Sequence, residues 1–194
     1  AAVTGDWELG AGLARALGMT PFPLADEAKP AYHAASVFAS NYVVTLTHGT
    51  PMPLLGFGTW QIKGDDAVRA TVTALETGYR HLDTALVYGN EGEVGRALAE
   101  SGVPRDQVFV TTKCPPNRAG QELDTLRRSL DLLQTDHVDL WLIHWPGEAS
   151  TNLDLWRAFV EAQESGLARE IGVSNFDAEL VDEVSAAGGV APAV

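Results

Sequence analysis

From residue 55 onward, short apolar runs alternate with segments whose apolar residues recur every three or four positions. The runs are Leu55–Gln61, Tyr79–Ala85, Val108–Lys113, Val138–Trp145 and Glu170–Asn175, with the start of a sixth at Val190–Val194. Their length and composition predict strands. Between them, Asp65–Thr77 places Val68, Val72 and Leu75 on one helical face, with Gly78 as its stop. Glu91–Ser101 ends before Gly102, and Ala119–Gln134 spaces Leu123, Leu126, Leu130 and Leu133 at helical intervals. Leu153–Ser165 ends at Gly166, and Asp177–Ala187 is the last predicted helix. Apolar strands alternating with amphipathic helices predict a parallel sheet covered by helices.

Two architectures satisfy that pattern. An open Rossmann-type sheet needs a phosphate-binding glycine fingerprint that opens a helix after an early strand. Gly56-Phe57-Gly58 lacks the third glycine and leads into Thr59-Trp60-Gln61 rather than a helix. The predicted fold is therefore α/β, a partial TIM-type (β/α)8 barrel with about six strands present. Before it, Val43–Leu46 and Thr50–Leu54 flank the turn residues Thr47-His48-Gly49 and predict a β-hairpin, with Pro51 and Pro53 marking its second arm as an edge. Residues 1–42 have a different texture. Glu8–Leu17 and Ala31–Ser40 read as two helices joined by a link carrying Pro21, Pro23 and Pro30. The predicted division is a helical N-terminal arm, 1–42, and a barrel part, 43–194.

The 194 residues carry 13 basic and 26 acidic side chains, a formal net charge of -13. That balance argues against nucleic acid and anionic membranes as partners. The acids are scattered along the predicted helices, as solvation requires. No apolar run approaches the roughly 18 residues of a membrane helix. The start, Ala1 to Asp6, lacks a basic stretch and an apolar signal core, and the missing initiator Met points to a processed, trimmed or incomplete start. Cys114 is the only cysteine, which excludes an intrachain disulfide and fits a reducing, cytoplasmic setting. His33, His48, His81, His137 and His144 show no metal-ligand spacing, so no metal site is expected.

Four polar residues close apolar runs or follow them: Asp83, Tyr88, Lys113 and His144. In a parallel barrel the C-terminal strand ends converge on one rim, where chemistry is done. A carboxylate, a phenol, an ammonium and an imidazole gathered there make a proton-donating site. Each has a plainer reading: a turn cap, a half-buried aromatic, a surface charge and a strand-end histidine. Taken singly the plainer readings are favoured. Four together at successive strand ends favour a site.

The surrounding motifs sharpen that picture. Gly78-Tyr79-Arg80-His81-Leu82-Asp83-Thr84-Ala85, followed by Tyr88, Glu91 and Val94-Gly95, resembles the first signature of the aldo-keto reductases, and Glu170-Ile171-Gly172-Val173-Ser174-Asn175-Phe176 resembles their second. Ile143-His144-Trp145-Pro146 and Gly56-Phe57-Gly58-Thr59-Trp60-Gln61 fit as well, and the resemblance runs from about residue 43 to the end. It departs from the family in two ways. The family barrel has eight strands and this chain reaches only the sixth. Residues 1–42 have no counterpart there, and instead weakly resemble a piece of a helical domain of Rossmann-like proteins of unassigned function. A fused or truncated gene is the implied origin.

The resemblance implies NADPH-dependent reduction of an aldehyde or ketone to an alcohol, with a small-molecule carbonyl substrate. Hydride would come from the nicotinamide, since no side chain supplies it. Tyr88 would give the proton. A free phenol is a weak acid at neutral pH, but an ammonium about 4 Å away at an effective dielectric of ~20 favours its anion by ~4 kcal/mol. Lys113 would supply that charge, Asp83 would hold Lys113, and a neutral His144 would orient the carbonyl oxygen. By the same resemblance Gly58, Thr59, Asp83, Ser174 and Asn175 contact the cofactor, and Trp60, Tyr88, His144 and Trp145 line the substrate pocket. The plain alternative for Ser174 and Asn175 is an N-cap for the helix beginning at Asp177, and for the two tryptophans rim packing. Cys114 reads as a small strand-end residue. A second functional reading comes from another class: a catalytically silent barrel fragment acting only through self-association across open sheet edges.

Overall fold

The computed structural model describes residues 50–188 and 190–193, with the short segments Ala2–Val3, Phe22–Pro23 and Val43–Thr45. The chain divides into two compact units, Ala1–Ser40 and Asn41–Val194. In the first, β1 (Ala2–Val3) pairs in parallel with β2 (Phe22–Pro23). Pro23, read above as part of a link, thus belongs to a strand pair, in a two-stranded sheet where every strand is an edge and a missing N–H is tolerated. The helices expected at 8–17 and 31–40 lie outside the described residues.

The second unit opens with the predicted hairpin. β3 (Val43–Thr45) pairs antiparallel with β4 (Pro51–Pro53), in the register Val43↔Pro53, Val44↔Met52, Thr45↔Pro51. Five parallel strands follow, adjacent in chain order: β5 (Phe57–Gly58), β6 (His81–Asp83), β7 (Phe109–Cys114), β8 (Val138–Ile143) and β9 (Ala168–Val173). The connecting helices are α1 (Gly64–Glu76), α2 (Glu91–Glu100), α3 (Glu122–Leu133) and α4 (Ala149–Glu164), and α5 (Ala178–Gly188) comes after β9.

The element boundaries differ from the apolar pattern where local bonding intervenes. The first run shrinks to Phe57–Gly58, because Ile62 N–H turns back to Thr59 O and Gln61 adopts a left-handed φ of 65°. A 3-10 turn at Pro116–Arg118 delays α3 to Glu122. α4 starts at Ala149, a turn ahead of Leu153, with Glu148 extended before it. Among the described residues the sixth run joins the sheet through one parallel bridge, Gly172↔Ala193. Val173 N–H donates to Ala193 O at 2.9 Å and Ala193 N–H to Ile171 O at 3.0 Å. A β-carbon at position 172 would lie 2.2 Å from Ala193 O, so only glycine lets the two backbones meet. One sheet edge expected to be open is therefore partly in use.

In register, Asp83, Thr111, Leu140 and Glu170 share one face of the sheet, and Lys113, Leu142 and Gly172 sit two residues further along that face. The opposite residues form the main core. Leu82, Val110, Trp141, Ile143, Ile171 and Val173 pack with helix residues Leu75, Val94, Leu126, Leu130, Trp156 and Phe159. Trp141 stacks on Phe159 with ring centroids 3.7 Å apart. On the inner face, Phe109, Leu140 and Ala193 form a smaller cluster with Met52 of the hairpin and Leu142. Near the start of β8, buried Asp139 accepts from Arg105 and Arg169, each at 2.9 Å, and from Val110 N–H at 2.9 Å. That is the strand end that stabilises such sheets, opposite the end where the candidate chemistry lies.

Candidate active site

The pairing of the strands continues past their ends and fixes the rim. Thr59 N–H donates to Asp83 O at 3.0 Å, Thr84 N–H to Thr111 O at 2.9 Å, His144 N–H to Cys114 O at 2.9 Å, and Ser174 N–H to Ile143 O at 2.9 Å. Side chains from successive strands are thereby stepped around one mouth.

Asp83 ends β6, Lys113 is the penultimate residue of β7, and His144 directly follows β8. Tyr88 closes a 3-10 turn, Leu86–Tyr88, after β6. Lys113 Nζ is the centre of the cluster. It donates to Asp83 Oδ1 at 2.6 Å and to the Thr84 carbonyl at 3.0 Å, and it lies 3.4 Å from the Tyr88 hydroxyl. Its side chain is 8% exposed and that of Asp83 35%, so this ammonium is inside the protein and not a surface charge. The Tyr88 and His144 rings meet edge to face at 5.7 Å. His144 stacks on Trp145 at 3.6 Å.

His144 is buried, and its pKa is lowered from 6.5 to about 4, first by loss of solvent and then by the Lys113 charge, with Asp83 opposing. It is therefore neutral at pH 7. Its Nδ1 is buried with no hydrogen-bond partner among the described residues.

Ser174 and Asn175 follow β9, with Asn175 at φ 64°. Asn175 Nδ2 donates to the His144 carbonyl at 2.7 Å and to Ser174 Oγ at 3.1 Å. The cap of α5 comes from Asp177, whose Oδ1 accepts Leu180 N–H at 2.9 Å, so the capping alternative for the pair does not hold. Gly58 is exposed and faces open space. Thr59 is fully buried, with its hydroxyl donated to Asp83 O at 3.2 Å. Trp60 and Trp145 are 65% and 45% exposed, which is rim placement without burial in a core.

Several contributors carry no motif of their own type. Thr84 serves through its carbonyl. Val87, half exposed, stands beside Tyr88 as a further apolar surface. Lys63 donates to the Tyr88 carbonyl. Buried Asn90 and Asn152 bind loop backbones. The available signal for both asparagines was position, a polar amide within or just before the first turn of a helix that follows a strand. Cys114, next to Lys113, is buried on the other face of β7, and burial pushes its thiol up to about 12. Among the described residues no group of His, Cys, Asp or Glu could hold a metal ion, and no helix is long and apolar enough to cross a membrane.

Residues 54–194 match the aldo/keto reductase family, and residues 1–52 match a domain of unknown function, DUF2520. A 2,5-diketo-D-gluconic acid reductase B from Corynebacterium sp. is 45% identical over 154 residues, covering 78% of this chain and 56% of that protein. An aldo/keto reductase structure from Brucella melitensis superposes with a TM-score of 0.75 at 43% identity, covering 77% of this chain and 60% of that one. A Bombyx mori aldo-keto reductase solved in complex with NADP gives a TM-score of 0.72 at 34% identity, with coverage of 77% and 55%. The architecture is thus the partial (β/α)8 barrel that the sequence predicts. The chain spans about half the length of the curated relatives it matches.

Proposed function

Because this chain belongs to the aldo/keto reductase family, we propose that it carries the proton-donating part of a site that reduces an aldehyde or ketone to an alcohol with NADPH. One observation carries the reading: a single buried ammonium, Lys113 Nζ, lies within 3.4 Å of both a carboxylate and a phenol oxygen. The Tyr88 O–H gives its proton to the substrate oxygen as a hydride reaches the carbonyl carbon. The phenolate left behind is stabilised by Lys113, whose position is held by Asp83 and the Thr84 carbonyl. Neutral His144 hydrogen-bonds the carbonyl oxygen without adding a competing positive charge. Trp60, Val87 and Trp145 offer rigid apolar walls, which suit a small carbonyl compound.

The residues present fit a nicotinamide. A carboxamide needs both a donor and an acceptor. Asn175 turns its N–H groups inward, which leaves its Oδ1 to accept and the Ser174 hydroxyl to donate. Bound there, NADPH would supply the hydride. Asp83 and the exposed Gly58 lie on the adjacent strand ends, with Thr59 buried directly after Gly58. A domain division near residues 42–43 and a cytoplasmic setting belong to the same proposal.

The test is NADPH oxidation by the 194-residue chain with a panel of small aldehydes, ketones and diketones. Turnover lost in Tyr88→Phe supports the assignment. A wild-type chain that folds, associates with itself and turns over none of the panel would instead favour the silent reading.

A further inference from the structure

Two of the three apolar walls at the mouth are tryptophans on loops, and each loop is tied down by a buried asparagine. Trp60 lies in the loop between β5 and α1. Asn90, fully buried just before α2, donates its Nδ2 to Thr59 O at 2.7 Å and to Ile62 O at 2.9 Å, one bond on either side of Trp60-Gln61. Its Oδ1 accepts from Thr84 Oγ1 at 3.3 Å, so the same side chain grips the residue whose carbonyl holds Lys113. Trp145 lies in the loop between β8 and α4. Asn152, also fully buried, accepts Gly147 N–H at 2.7 Å and donates to Gly147 O at 3.3 Å. A β-carbon at position 147 would come within 3.1 Å of the Thr151 side chain, so the glycine is closely packed.

We propose that Asn90 and Asn152 are positioning residues that set where Trp60 and Trp145 stand, and hence how large a carbonyl substrate the mouth holds. The substrate part of this inference rests on the reductase reading above. A carboxamide offers two donor hydrogens and an acceptor oxygen without charge, so one side chain can bond several backbone groups of both kinds. The two residues use opposite ends of it. Asn90 acts mainly as a donor to two carbonyls, and Asn152 acts mainly as an acceptor from one N–H. That difference separates their conservative variants. Asn90→Asp keeps the bond from Thr84 but turns a carboxylate toward two carbonyls, so it should free the Trp60 loop. Asn152→Asp keeps the short bond from Gly147 N–H and gives up only the longer one to Gly147 O, so it should disturb the Trp145 loop less than Asn152→Ala, which should free it.

The first measurement needs no turnover. In protein labelled with 5-fluorotryptophan, the five tryptophans give fluorine resonances assignable by single Trp→Phe replacements. Asn90→Asp and Asn90→Ala should shift or broaden the Trp60 resonance and leave that of Trp145 unmoved. Asn152→Ala should do the reverse, and Asn152→Asp should move the Trp145 resonance less than Asn152→Ala does. All resonances moving together, or none, would overturn the proposal. The second measurement compares a compact aldehyde with a bulky aryl aldehyde. Asn90→Asp and Asn152→Ala should raise KM for the bulky substrate about tenfold, with kcat for the compact one changed by less than about threefold. A lowered melting temperature with unchanged KM ratios would show a merely structural role. Failure of the wild type to turn over either aldehyde would sink the reductase reading and leave the fluorine result to judge the positioning.

Discussion

Lys113 Nζ stands 3.4 Å from the Tyr88 hydroxyl, while the ring of the same tyrosine lies 5.2 Å from it. The ammonium thus sits over the phenol ring and nearer its oxygen than its centre. Tyr88→Phe removes the proton and keeps the ring. It should lower kcat for carbonyl reduction by about 10²–10⁴-fold with NADPH affinity within a factor of about two. Stopped-flow turnover beside fluorescence titration of NADPH separates the two quantities. Lys113→Met should give a loss of similar size and should also release Asp83. Most of the wild-type rate surviving in Tyr88→Phe would refute the role.

The pH response of His144 follows from its burial. Its value falls from 6.5 in the free state to about 4 in the fold. Between those limits the unfolded chain binds the proton and the folded one does not, so stability declines as the pH drops from 6.5 toward 4 and is flat above. Turnover should keep its His144-dependent part through pH 6.5 and lose it only near pH 4. An NMR titration of the His144 ring beside urea unfolding at several pH values checks both statements. A midpoint near 6.5 would contradict them.

Asp139 neutralises two guanidiniums and accepts one backbone N–H while 3% exposed. Asp139→Ala would leave Arg105, 24% exposed, and Arg169, 47% exposed, without their carboxylate, and the buried Val110 N–H without its acceptor. Leaving a buried donor unsatisfied costs about 1–3 kcal/mol, and the part-exposed ion pairs add less. At about 2–4 °C per kcal/mol for a chain of this size, the thermal midpoint should fall by about 2–12 °C. The site lies at the far end of the strands, so residual kcat per folded molecule should be near wild type. A variant that melts like wild type would show the network to be dispensable.

Gly95 lets α2 approach α3. A β-carbon there would lie 2.3 Å from Leu132 O, a backbone atom that cannot rotate away. Gly95→Ala should therefore destabilise by about 3 kcal/mol, the upper part of the usual range for overpacking, despite alanine's better helix propensity. Circular-dichroism melts decide the sign. A stabilised variant would mean that the two helices separate without penalty.

The polar rim was legible because it interrupts apolar runs: Asp83, Lys113 and His144 are each the polar residue that ends one. Strand β8 and helix α2 were read nearly to the residue for a related reason, the contrast between Val138–Ile143 and its polar flanks and the glycine at 102. What stayed hidden was orientation. Both faces of a parallel strand are buried, so nothing in Thr111-Thr112-Lys113-Cys114 announces that Thr112 turns outward to Glu91, at 2.6 Å, while Lys113 turns into the mouth. Glu91 itself is buried, and burial raises its pKa while Thr112 and Ser129 donate to it. Only the family motif singled it out. Asn90 and Asn152 were missed because a helix-start asparagine looks the same whether it caps its own helix or ties down a neighbouring loop. The short length of β5 escaped notice because the carbonyls that leave the ladder, of Thr59 and Ile62, are taken up by Asn90, 31 and 28 residues away in the chain.

The lone thiol offers a built-in clock. Cys114 is fully enclosed behind the strand whose other face carries Lys113, and burial holds it in the unreactive protonated form with a pKa of about 12. Alkylating reagents can reach it only when the sheet itself comes apart. With no second cysteine to confuse the signal, the rate of its modification under native conditions reports how often the barrel opens, in every variant described above and without any added label.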